Sequence, residues 1–130
     1  MTWLWVALGS ALGGVSRYWL AGVVDRTFGA TFPWGTTIVN VTGSLMIGLV
    51  AGLVATDGRW LIPSSARVFI MVGLCGGYTT YSSFALQTLT LARDGEWLRA
   101  GANVMLTTAL CLIAVWAGYA AGDALNQMKG

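Results

Sequence analysis

The chain has 130 residues, of which 56% are hydrophobic and 9% charged, with a net charge of +2 and a mean hydropathy of +0.70. A soluble domain carries about 25% charged residues, so these proportions exclude an ordinary water-soluble fold and point to an integral membrane protein. The few positive charges are too scattered to favour nucleic acid, and too little chain lies outside the apolar stretches to form a separate soluble domain.

Four apolar stretches, at about 3–24, 34–56, 66–92 and 99–121, each reach the roughly 20 residues that a helix needs to span a bilayer. The expectation is an all-α protein with four transmembrane helices joined by short loops. Trp3, Trp5, Trp19, Trp34, Trp60 and Trp97 fall near span ends, as an aromatic belt does. The first stretch lacks a basic leader and exceeds a signal-peptide core in length, so it reads as a retained span. Arg17, near its end, has two readings: a snorkelling side chain, or a charge that draws anions into a vestibule. Each span contains a pair of glycines four apart (Gly9/Gly13, Gly48/Gly52, Gly73/Gly77 and Gly118/Gly122), which lets helix backbones approach closely.

The second span carries Thr36, Asn40 and Ser44 at intervals of four, which puts them on one helix face. The third is interrupted at 73–87 by adjacent glycines and a run of hydroxyls, poor helix material in the middle of a span. In hydrocarbon every freed backbone group must find a partner, so irregular backbone there is buried in protein or faces a water-filled cavity. Tyr81 and Phe84 share a face just after this break, flanked by Ser82, Ser83 and Gln87. The fourth span repeats the stripe with Asn103, Thr107 and Cys111. The plainer reading of such stripes is interhelical hydrogen bonding, worth about 0.6 kcal/mol per bond. Two regular stripes around a broken helix favour a permeation path. Cys75 and Cys111 both fall inside spans and read as reduced packing residues rather than a disulfide.

There is no histidine, and Asp25, Asp57, Asp94, Glu96 and Asp123 all lie at span ends or in loops. Proton-coupled transporters use intramembrane ionisable groups, so a path lined by hydroxyls, amides and aromatics suits passive flow. Hydroxyl and amide groups donate to anions, and aromatic rings present positive edges. The charge tally does not orient the chain. Arg59, Arg67 and Lys129 fall on one side, and Arg26, Arg93 and Arg99 on the other. A chain so weakly biased is able to insert both ways, and opposed copies are able to pair about an axis in the membrane plane, as inverted repeats do.

Three motifs resemble the Fluc-type bacterial fluoride channels. They are Gly13-Gly14-Val15-Ser16-Arg17; Trp34-Gly35-Thr36-Thr37-Ile38-Val39-Asn40-Val41-Thr42-Gly43-Ser44 with Gly48; and Gly73-Leu74-Cys75-Gly76-Gly77-Tyr78-Thr79-Thr80-Tyr81-Ser82-Ser83-Phe84. The resemblance implies an antiparallel, dual-topology homodimer of four-helix subunits in the bacterial cytoplasmic (inner) membrane. It implies two narrow pores that passively export fluoride, and no enzymatic activity. It places the pore asparagine at Asn40, the two pore aromatics at Tyr81 and Phe84, and the fourth-span polar track at Asn103, Thr107 and Cys111; Ser83, beside Phe84, is read as a further pore contact, and Arg17 as the vestibule candidate. It also implies a structural sodium ion at the dimer interface, held by the backbone carbonyls of Gly76 and Thr79; oxygen ligands suit such a hard cation. The chain departs from the family pattern in having Tyr81 where phenylalanine is usual, and in starting the fourth-span track with Asn103 and ending it with Cys111. The runner-up reading is a small dual-topology exporter of organic cations, a class that relies on a membrane carboxylate this chain lacks. A third reading is a non-transporting assembly subunit whose polar residues only join helices.

Overall fold

The computed structural model describes residues 2–29, 31–54 and 62–128, and all regular structure among them is helical. The outer end of the second expected span, the loop residues Asp57, Arg59 and Trp60, and Lys129 lie outside the described residues. Helix α1 runs Thr2–Phe28 and α2 Trp34–Leu53. The third segment, α3, is composite: Ser64–Arg67 is α-helical, Val68–Cys75 is wound as a wider π-helix, and Gly76–Tyr78 returns to α geometry. After Thr79 and Thr80, both extended, α4 runs Tyr81–Arg93 and α5 Trp97–Met128. Three stretches, Trp34–Leu53, Ser64–Arg93 and Trp97–Gln127, are long and apolar enough to cross a membrane. Helix α1 matches them in length, with 27 residues, but Arg17 and its tryptophans, glycines and serines dilute its apolar character.

Local chemistry sets the helix ends. Gly29, at φ +85°, closes α1 in the left-handed conformation that glycine adopts without a Cβ clash. Gly95, at φ +82°, does the same for α4. There the Gly95 N–H reaches the Ala92 carbonyl at 3.1 Å and the Glu96 N–H reaches that of Leu91 at 2.8 Å. This paired arrangement satisfies two carbonyls that the helix end would otherwise leave bare. The first turn of α2 is capped from outside, since the Gly35 N–H donates to Asp25 Oδ1 of α1 at 3.2 Å. That bond places a carboxylate against the positive end of the helix dipole.

Two seams of small residues organise the bundle. Along α1 and α3, Gly9 and Gly13 face Gly73 and Gly77 so closely that a Cβ at Gly9 would lie 2.6 Å from the Phe69 carbonyl oxygen. A Cβ at Gly77 would lie 2.7 Å from that of Ser10. Along α2 and α5, Gly48 and Gly52 face Gly118 and Gly122 in the same way, and an added Cβ at any of the four would run into backbone of the facing helix. All four glycine pairs therefore serve contacts within one subunit. In lipid, where apolar burial gives helices little reason to associate, such backbone proximity is the main source of packing energy.

The seams set opposite expectations for two glycines of α5. Gly118→Ala forces a methyl against Leu45 and Leu49 backbone and should destabilise the fold by about 1–3 kcal/mol, as overpacking does. Nothing lies within 4 Å of a Cβ at Gly101, so Gly101→Ala should be neutral or stabilising by up to about 1 kcal/mol through helix propensity. Thermal unfolding of the two variants in detergent checks the contrast.

Candidate functional site: a polar cavity at the helix break

The break in the third segment is held by three consecutive residue pairs between it and α2. Tyr78, the last helical residue of α3, is hydrogen-bonded through its hydroxyl to Thr42 Oγ1 at 2.7 Å. The Thr42 hydroxyl also reaches the Ile38 carbonyl at 2.8 Å, which leaves the phenol as the donor to Thr42. Thr79 lies against Gly43, where a Cβ would collide with its methyl group. Thr80 is held by Asn40 in both directions: its N–H donates to Asn40 Oδ1 at 2.7 Å, and its carbonyl accepts from Asn40 Nδ2 at 2.9 Å. One carboxamide thus replaces both backbone partners that a broken helix loses, which is what hydrocarbon demands.

The capture of Thr80 has a consequence one turn back. In a continuous α-helix the Thr80 N–H would close onto the Gly76 carbonyl, but here it is committed to Asn40. Gly76 is exposed, and the nearest atom to a Cβ there is 3.9 Å away. Gly76 and Gly77 themselves stay helical, so the interruption falls on the two threonines rather than on the glycines. Thr79 ties its own N–H and Oγ1 to the Cys75 carbonyl at 3.0 and 2.9 Å. Thr80 Oγ1 accepts from the Ser83 N–H at 3.2 Å and caps α4.

Around the break lies a cavity of about 360 Å³, lined by α2 (Asn40, Gly43, Ser44, Ile47), the break (Cys75, Gly76, Thr79, Thr80), α4 (Tyr81, Phe84) and α5 (Thr107, Thr108, Cys111, Leu112). The spacing on α2 and α5 is that of a single helix face. No Asp, Glu, Lys, Arg or His lies on this wall. The cavity opens to the surface of the chain, because Gly76, Tyr81, Thr108 and Leu112 on its rim are exposed. The two aromatics differ sharply: Phe84 is 8% exposed and Tyr81 80%. Their ring centroids are 5.5 Å apart at an interplanar angle of 48°. Phe84 is thus an inner wall and Tyr81 a rim.

Of the residues singled out in the sequence, Asn40, Tyr81, Phe84, Thr107, Gly76 and Thr79 meet at this cavity. Ser83 lies off its wall, with its N–H engaged in the cap. Asn103, 1% exposed, stands behind Thr107, which donates to Asn103 Oδ1 at 3.3 Å. Arg17 is half-buried on α1, also off the wall, and its Nε is shielded without a hydrogen-bond partner. One residue was not singled out: Thr80, through which Asn40 acts. Gln87, named as a flank of the aromatic face, lies one turn beyond Phe84 and lines a second cleft of about 470 Å³ with Asp25, Thr90, Asp94, Glu96 and Arg99 among its walls. Three carboxylates, Asp25, Asp94 and Glu96, stand on the walls of this second cleft, but no group of three acidic, histidine or cysteine residues placed to hold a metal ion occurs among the described residues.

Removing the amide leaves both Thr80 backbone groups without their partner. Asn40→Leu should therefore destabilise the fold by about 2 kcal/mol or more, given about 1–3 kcal/mol for each unpaired buried group. Asn40→Asp keeps an acceptor for the Thr80 N–H and should fall between. Thermal or denaturant unfolding of the detergent-solubilised variants gives the order.

The family model described as "CrcB-like protein, Camphor Resistance (CrcB)" matches residues 4–119. Among similar proteins, a "Fluoride-specific ion channel FluC" of Methylocella silvestris is 52% identical over 130 residues, covering 100% of this chain and 99% of the relative. A protein of the same name from Paramagnetospirillum magneticum is 55% identical over 127 residues, covering 98% and 99%. One from Opitutus terrae is 54% identical over 128 residues, covering 98% and 97%. Matched over most of its length by the model and over nearly all of it by these relatives, the chain belongs to the CrcB family.

Proposed function

We propose that this protein is a passive, fluoride-selective channel that lets fluoride leave the cytoplasm across the bacterial inner membrane. The observation that carries the reading is full-length identity of 52–55% to relatives named fluoride-specific ion channels. The site's chemistry agrees with it. Asn40 spends one Nδ2 hydrogen on the Thr80 carbonyl and has a second to offer. Thr107, Thr108 and Ser44 add hydroxyls to the same wall, and Phe84 adds a ring whose edge is positive. Such a wall attracts an anion without the deep trap that a fixed positive charge would create, and conduction requires sites that release their ion. The absence of Asp, Glu, Lys, Arg and His from the wall supports passive flow over proton coupling.

The working unit is an antiparallel homodimer of four-span subunits with two pores. Tyr81 and Gly76 support this, since both are exposed beside a polar cavity, and a second subunit would close that rim. The balanced count of basic residues supports insertion in both orientations. The donor set also fits a structural sodium ion at the interface. Gly76 has lost its α-helical donor to Asn40, and space lies open beside it. Backbone oxygen is the ligand type that a hard cation prefers, so the Gly76 and Thr79 carbonyls would hold it.

Purified protein in liposomes should release fluoride under a potassium gradient with valinomycin while chloride stays trapped. Release of neither anion, or of both alike, would overturn the proposal. Phe84→Ile removes the ring edge from the inner wall and should cut fluoride release at least severalfold with the oligomer intact; an unchanged rate takes Phe84 out of the path.

A further inference from the structure

Behind the cavity wall, side-chain hydrogen bonds join α4 to α5, and a close hydroxyl contact extends the set to α2. Thr88 Oγ1 of α4 donates to the Phe84 carbonyl at 2.8 Å and accepts from Asn103 Nδ2 at 2.9 Å. Asn103 Oδ1 accepts from Thr107 Oγ1 at 3.3 Å. Thr107 Oγ1 also lies 3.4 Å from Thr37 Oγ1 of α2, a contact with no proton of its own while both hydroxyls donate elsewhere. Thr37 Oγ1 donates to the Pro33 carbonyl at 3.0 Å. Thr37, Asn103 and Thr107 are 3%, 1% and 6% exposed, and of the four side chains only Thr107 reaches the cavity wall.

The lengths are uneven in an informative way. Hydroxyl hydrogen bonds are strongest near 2.7–2.8 Å and weaken with distance. The Thr107–Asn103 bond, at 3.3 Å, is the longest of the set, and the contact of Thr107 with the Thr37 hydroxyl is longer still at 3.4 Å, whereas the bonds of Thr88 and of Thr37 to Pro33 are 2.8–3.0 Å. Thr107 is therefore the member whose hydroxyl turns most easily. Thr37 is built to compensate, because the Pro33 carbonyl also accepts the Thr37 backbone N–H at 3.1 Å. The Thr37 hydroxyl is able to leave that carbonyl without orphaning it.

On the channel reading, we propose that Thr37, which does not touch the path, is a positioning residue for anion passage and acts through Thr107. As an anion reaches the wall, Thr107 turns its O–H from Asn103 Oδ1 to the anion. Thr37 then turns its own O–H from Pro33 to Thr107 Oγ1. The donated bond keeps the Thr107 oxygen satisfied and polarises its O–H toward the anion, since hydrogen bonds in a chain reinforce one another. Meanwhile Asn103 Oδ1, buried and released, favours the return of Thr107. The exchange gives an anion contact that strengthens on arrival and resets on departure, with no charge moved in the protein.

The test is liposomal fluoride release by Thr37→Val, Thr37→Ala and Thr37→Ser beside the wild type, with thermal midpoint and oligomeric state recorded for each. The Val and Ala variants should be slower by about fivefold, the factor set by one ordinary net hydrogen bond. The Ser variant, which keeps the hydroxyl and loses the methyl, should recover most of the wild-type rate. Wild-type rates in Val or Ala, or a Ser variant as slow as Ala, overturn the proposal, and the Ser–Ala comparison decides even if Val fails to fold. A wild type that passes no fluoride would instead overturn the channel reading, and this proposal with it.

Discussion

The two hydrogen bonds between the Asn40 carboxamide and the Thr80 peptide group are the constraint on which the rest of the structure depends. Inside a bilayer a helix is broken only if something replaces the bonds it gives up. A hydroxyl donates and accepts at a single oxygen, whereas a carboxamide carries its N–H donors and its carbonyl acceptor on separate atoms spaced as in a peptide group. Asn40 thus stands in for a strand of backbone. By taking the Thr80 N–H it withholds a donor from Gly76, and by holding Thr80 extended it lets α4 restart with Thr80 as its cap. The cavity and the exposed Gly76 both follow from that substitution of side chain for backbone.

The glycine seams explain why the clamp lands where it does. They bind α1 to α3 and α2 to α5 at backbone contact, which yields two stiff helix pairs. Between the pairs, Gly35 packs against Ala21 backbone and Gly43 against Thr79, and the remaining ties are specific and polar: Asp25 to the Gly35 N–H, Tyr78 to Thr42, and Asn40 to Thr80. Helix α4 has no glycine seam and is anchored to α5 through Thr88 and Asn103. Close packing within pairs and hydrogen bonding between them leave room for a polar cavity at the junction, whereas glycine seams on every face would fill it. The π-wound stretch Val68–Cys75 lies on the seam with α1 directly before the break. Wide turns of this kind are commonly found next to functional sites.

Membrane character and helical structure were legible in composition, because a chain with so few charges has no alternative solvent. The interruption near 73–87 was legible because hydroxyls and glycines cluster where a span should be uniform. Its position was less so. Adjacent glycines suggested the weak point, yet Gly76 and Gly77 remain helical, since Gly77 is held against Ser10 of α1, and the break falls at Thr79 and Thr80, where α2 supplies bonding partners. That choice depends on a residue 40 positions away in sequence, which no local propensity encodes. The contrast between Phe84 and Tyr81 was equally hidden. Their spacing puts them on one face, but the depth of each depends on how α4 leaves the break. Thr37 was out of reach for another reason: the role proposed for it rests on the distance from its hydroxyl to that of Thr107, and spacing carries no such information.

Asn40 and Thr107 show two uses of a buried polar group within one cavity. Asn40 is held by short bonds to backbone, so its orientation is fixed and its spare N–H always points the same way. Thr107 is held by one long bond to Asn103 and a longer contact with Thr37, so on the channel reading its hydroxyl is the one free to turn toward an occupant. A path built only of the first kind would hold an anion in a rigid cage, and tight fit slows exit. A path built only of the second would offer no fixed point at which a dehydrating ion finds a donor. On the channel reading, a wall that combines them would meet the two demands of selective flow, a preorganised contact that recognises and a compliant one that releases, with neutral groups whose rearrangement moves hydroxyl protons but no net charge.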